Sequence, residues 1–135
     1  MNKSLDLESV RFAARMLKKY GFYWSAYFLF GTPSETRETI LQTLKFIEEI
    51  DPPFTTIARY APIPGTKMYQ ELVRAGYINA NIDWSYESNQ RLDSNYVYSM
   101  SVSEFESMIK AVAIAIDKRN HLNSEKYGVN DRRLK

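Results

Sequence analysis

The chain has 135 residues, 44% hydrophobic and 14% aromatic, which is enough apolar material for the core of one domain. A formal charge of +2 from 18 basic and 16 acidic residues argues against a nucleic-acid surface, and no apolar run approaches the ~20 residues of a membrane span. With no cysteine and one histidine, the chain carries no disulfide, thiolate nucleophile or cysteine ligand for a cluster, and a cytoplasmic setting is expected.

From Leu5 to Tyr20 the apolar residues Leu5, Val10, Ala13, Ala14 and Leu17 recur near the helical period, with Gly21 placed to end the helix in a left-handed conformation. Phe22 to Phe30 is dense in aromatic and apolar residues and stops at Gly31, which predicts a strand buried on both faces. Trp24, Ala26, Phe28 and Phe30 form one face. Tyr23, Ser25, Tyr27 and Leu29 form the other, which is more polar and is assigned to a ligand. After Thr32-Pro33-Ser34, the spacing of Ile40, Leu44, Ile47 and Ile50 predicts a helix from Glu35 to Ile50, with Glu35 in its first turn. Asp51-Pro52-Pro53 stops that helix, and Thr55 to Ala61 reads as a strand with Thr55, Ile57, Arg59 and Ala61 on one face.

Pro62-Ile63-Pro64-Gly65 is too stiff for helix or strand, and Thr66 is placed to cap a helix from Lys67 to Ala75 that Gly76 ends. Between residues 77 and 99, Ile78, Ile82, Trp84 and Tyr86 suggest an anchored loop and Tyr96-Val97-Tyr98 a brief strand. Ser101 and Glu104 make a capping box, with Met100 and Phe105 as its hydrophobic staple. The helix that follows, Val102 to Asn120, turns Phe105, Met108, Ile109, Val112 and Ile116 inward. Residues 123–135 read as a loose polar tail on a domain of residues 1–122.

Two strand-loop-helix steps in succession make the Gly31 and Gly65 turns candidate ligand loops, because parallel sheets bind ligands at the carboxyl ends of their strands. Gly31 to Glu35 offers amides to a phosphate but has no P-loop lysine, so a plain turn is the better local reading by roughly two to one. Arg59, alone in an uncharged strand, needs a carboxylate, phosphate or carbonyl if buried, or else an edge strand that lets it reach water. Asp83, Glu87 and Asp93 read as solvated loop carboxylates, and His121 as a helix-terminal residue that favours the dipole.

Lys18-Lys19-Tyr20-Gly21, Gly31-Thr32-Pro33-Ser34-Glu35-Thr36 and Pro62-Ile63-Pro64-Gly65-Thr66, in this order and spacing, resemble the C-terminal half of the radical S-adenosylmethionine barrel. The likeness is to the subfamily whose longer members carry an upstream cobalamin-binding domain. It implies an α/β fold, a partial parallel (βα) barrel fragment with a C-terminal helix. Leu29, Gly31 and Ala61 would then bound S-adenosylmethionine, and Tyr27 and Arg59 would face the barrel interior and the substrate. The family's three-cysteine motif, which holds a [4Fe-4S] cluster, is absent, and Ser34 and Tyr27 stand where the family has glycines. The resemblance therefore implies a piece of a longer oxidoreductase, inactive alone. Its expected partners are the N-terminal half of its own barrel, a small-molecule substrate and, through open strand edges, a second copy. A complete small α/β binding module and a phosphate-ligand enzyme are the rival readings.

Overall fold

The computed structural model describes residues 5–78 and 95–128, which form two parallel strands and four helices. Helix α1 (Leu7–Lys19) starts on Asp6, whose carboxylate accepts the Glu8 and Ser9 amides at 3.2 and 3.0 Å. Gly21, at φ +70°, ends it: the Gly21 N–H reaches the Lys18 carbonyl and the Phe22 N–H that of Leu17, the paired bonds of a Schellman motif. Strand β1 (Ser25–Phe30) begins three residues later than expected. Helix α2 (Arg37–Ile50) is capped by Thr36, with Thr36 and Thr39 exchanging side-chain and backbone bonds.

Asp51 closes α2 in the left-handed conformation, at φ 46°, a position that asparagine and aspartate tolerate better than other side chains. Its carboxylate takes Lys18 of α1 at 2.9 Å and Arg119 of the last helix, so one residue ties three helices together. These partners, Lys18 first, hold the carboxyl below its ordinary range.

Strand β2 (Phe54–Arg59) pairs in parallel with β1, with Tyr27 opposite Thr56 and Phe30 opposite Arg59. Thr66 caps α3 (Lys67–Arg74), and the last helix is α4 (Val102–Tyr127), started by the Ser101–Glu104 capping box. Helices α2 and α4 cover one face of the sheet, where Phe30, Ile40, Ile47, Phe105, Ile109, Val112 and Ile116 form the core. Each such side chain contributes roughly 1.5–3 kcal/mol through burial.

Four expectations need correction. The sheet is buried on one face only: Ser25, Tyr27 and Leu29 are exposed because no described helix lies over them. Tyr96-Val97-Tyr98 is not a strand. It is an irregular segment joined to the first loop by a bond from the Tyr98 N–H to the Pro33 carbonyl at 3.1 Å. Helix α4 runs past Leu122 to Tyr127, so the expected tail begins inside a helix, where Asn120 and Asn123 are buried. His121 therefore lies within α4, 3.6 Å from Glu125, and its dipole explanation falls away. Ile82, Trp84, Tyr86, Asp83, Glu87 and Asp93 lie outside the described residues.

Candidate functional site

Beyond β1 the chain must turn within a few residues, and Gly31 supplies the geometry at φ +92°. A Cβ added there would stand 2.9 Å from the Phe105 ring, so the same residue also admits α4 against the sheet. The Gly31 N–H donates to the carboxylate of Glu35. Glu35 does not sit in the first turn of α2 as expected. It precedes the cap, 8% exposed, with its N–H on the Thr32 carbonyl at 3.0 Å and its own carbonyl accepting Ser99 Oγ at 2.7 Å. Burial pushes its carboxyl above the ordinary range, against the lowering effect of the Gly31 bond. The Gly31 amide is taken by Glu35 and the Thr36 and Thr39 amides by the capping box, so these three are not offered to a phosphate.

The second loop follows the same plan. Tyr60 extends the ladder by donating to the Phe30 carbonyl at 2.7 Å, and Ala61, half-buried, lies past the end of β2. Pro64 and Gly65 occupy the central positions of a turn closed by the Thr66 N–H on the Ile63 carbonyl at 3.2 Å, with Gly65 at φ +83° as a type II turn requires. Two aromatic pairs join separate segments of the chain, Tyr60 with Tyr96 (6.1 Å between centroids) and Tyr77 with Tyr98 (5.0 Å). Sequence reasoning passed over these pairs, because the tyrosines come from segments far apart in the chain.

The five residues singled out in the sequence divide. Tyr27 (61% exposed) and Leu29 (40%) project from the uncovered face of the sheet, and Ala61 is partly accessible at its carboxyl end. Gly31 is buried, with its amide committed to Glu35 and its Cα backed by Phe105, so it shapes the loop. Arg59 does not share a face with Tyr27. The register puts it beside Phe30 under α4, 8% exposed, where Nη2 meets Glu106 Oε2 at 2.9 Å and Nη1 meets Oε1, and the guanidinium lies 5.6 Å from the Phe105 ring centre. A carboxylate partner is thus what Arg59 found. Its supplier, Glu106, was missed, although its place next to Phe105 on the inward flank of a helix is a signal.

Tyr27 and Arg59 meet again around the outer edge of β2, as walls of a cleft of about 730 Å3 between that edge and α4. Among the described residues, no group of three or more acidic, histidine or cysteine side chains is placed to hold a metal. No described helix is long and apolar enough to cross a membrane.

With this geometry in view, the chain is similar to the anaerobic magnesium-protoporphyrin IX monomethyl ester cyclase of Rubrivivax gelatinosus, 33% identical over 72 residues. The corresponding cyclase of Cereibacter sphaeroides is 30% identical over 71 residues, and an uncharacterised methyltransferase of Pyrococcus horikoshii 29% over 72. Each match takes in 53% of this chain but only 13%, 12% and 16% of the relative, in that order. The cyclases belong to a radical S-adenosylmethionine family, so the likeness to that family is distant and local. No family model and no solved structure matches the chain.

Proposed function

We propose that this chain forms the C-terminal staves of a radical S-adenosylmethionine barrel and works as part of a longer oxidoreductase. The observation that carries this reading is the one-sided sheet: two parallel strands with the described helices on one face and Tyr27 and Leu29 exposed on the other. A barrel stave has this form, since its inner face is covered only when the remaining strands close the ring. Phe12 on α1 and Tyr20 at its C-cap are likewise exposed on a helix that buries Ala14, which leaves apolar surface for a neighbouring element. The distant likeness to the cyclases supports this reading over a complete small binding module.

In this reading Leu29 and Ala61 wall the S-adenosylmethionine site, Tyr27 faces the substrate, and Gly31 acts indirectly by setting the loop. Arg59 braces α4 against the end of β2. Those roles fit the exposure of the first three residues and the burial of the other two. An iron-sulfur cluster bound elsewhere in the longer protein would supply the electron for reductive cleavage of S-adenosylmethionine, while the residues of this chain orient and enclose. Cobalamin belongs to the proposal only if an upstream binding domain is present.

The test is anaerobic. The chain is expressed together with its upstream reading frame, reconstituted with iron and sulfide, reduced, and assayed for methionine and 5'-deoxyadenosine. Formation of both, lowered by Leu29→Asp, is expected. An upstream frame without a three-cysteine motif, or a reconstituted protein that cleaves no S-adenosylmethionine, overturns the reading.

A further inference from the structure

We infer that the cleft between the outer edge of β2 and α4 is a binding site for a small apolar molecule that bears a carboxylate. Its volume, about 730 Å3, lies within the roughly 300–1,000 Å3 of small-molecule sites. Ile57, Ala58 and Ala113 make its floor and wall apolar, and among the described residues the charged groups that line it are Arg59, Glu106 and Lys110.

The state of those three groups selects the ligand. Arg59 holds both carboxylate oxygens of Glu106 in a bidentate pair, which neutralises the two and fixes them in one geometry. Lys110 lies one turn further along α4 from Glu106, where it would ordinarily take that carboxylate as its own partner. With Glu106 committed to Arg59, Lys110 pairs with no carboxylate among the described residues. Among the described residues the cleft thus carries two cations and one anion, with the excess positive charge on the exposed Lys110 ammonium beside an apolar recess. An apolar body fills the recess, and a terminal carboxylate reaches Lys110. A cation would meet repulsion there, and a neutral molecule would gain only the apolar contact.

The inference does not depend on the barrel reading, since every wall belongs to this chain and binding needs no cluster. The 135-residue protein is titrated with decanoate and, separately, with decanol, below the concentration at which either aggregates, and amide shifts are followed by NMR. Saturable binding of decanoate is expected, with shifts centred on residues 56–59 and 106–113 and an affinity about tenfold above that of decanol. Lys110→Glu should erase that preference while leaving decanol binding unchanged, and Ala113→Phe should weaken both. Lys110 is exposed, so Lys110→Gln provides a variant that keeps the fold and still loses the preference. Equal affinity for the two probes, shifts elsewhere on the surface, no saturable binding, or an unaltered preference in both Lys110 variants would overturn the inference.

Discussion

The side chain of Asn120 binds the backbone of Thr55 as a neighbouring strand would: Nδ2 donates to the Thr55 carbonyl, and the Thr55 N–H donates to Oδ1, each at 2.8 Å. An amide carries one donor and one acceptor in the arrangement of a peptide group, so a helix here satisfies part of the outer edge of β2. Three residues on, Asn123 Nδ2 donates to the Pro52 carbonyl at 3.0 Å. Helix α4 is thus fastened to the start of β2 by two asparagines and to its end by Glu106.

Asn120→Ala should therefore destabilise the protein more than its polar character suggests. It leaves two buried backbone groups without partners, which costs about 2–4 kcal/mol. Chemical denaturation should show the loss, and hydrogen exchange should show faster exchange of the Thr55 amide. A change within about 0.5 kcal/mol, the usual range of surface substitutions, would refute the account.

At Gly31 both conformation and space exclude a side chain. Gly31→Ala should lower stability by about 2 kcal/mol or more, since a positive φ and a contact at 2.9 Å on Phe105 act together. Adding Phe105→Leu removes the contact but not the backbone strain, so the double variant should lose less than the sum of the two single variants, the difference being the share of the contact. Full additivity in thermal denaturation would show that the two sites do not interact.

Glu35 and Asp51 should shape the acid limb of stability in opposite directions. The folded carboxyl of Glu35 is raised, so its contribution grows as pH falls through the folded value and is complete below the unfolded one. Glu35→Gln keeps an oxygen for the Gly31 amide and should be neutral or stabilising near pH 7, whereas Glu35→Ala should lose about 1–3 kcal/mol. Denaturation curves for the two variants at several pH values separate these outcomes.

The Asp51 carboxyl is lowered, so its stabilisation is present above the ordinary value of 3.8 and is lost as pH falls through the folded value. Asp51→Asn keeps a residue that tolerates the left-handed conformation but removes the charge shared with Lys18 and Arg119. It should cost about 1 kcal/mol at neutral pH and flatten the loss below pH 4. An unchanged acid transition in this variant would assign that loss to other carboxylates.

The bare face of the sheet leads to a prediction about association. Two strands with an uncovered apolar side tend to recruit another chain, so the isolated protein should self-associate at high concentration. Tyr27→Lys with Leu29→Lys should shift light scattering toward the monomer, because both side chains are exposed on that face. A wild-type monomer throughout the concentration range would count against the open-stave reading.

Most helix and strand positions were legible in the order of residues because their signals are local. The period of Ile40, Leu44 and Ile47, the capping box at Ser101 and Glu104, and the glycines after α1 and α3 each act within about two turns of chain. The two ligand-loop candidates were found for the same reason. What sequence could not assign was parity between the strands. It grouped Thr55, Ile57 and Arg59 on one face of β2, but only the register of Phe30 with Arg59 sets that face under α4 and away from Tyr27.

Sequence by itself determined an α/β chain with two strand-turn-helix steps and no cysteine with which to hold a cluster. Tertiary structure decided that Gly31 is buried, that Arg59 belongs to Glu106, and that α4 continues through Asn120 and Asn123 to Tyr127. The physical reason is range: a polar residue on the inward face of a helix looks like the end of its apolar stripe until its partner is known, and the partners of Asn120 and Asn123 lie 65 and 71 residues away.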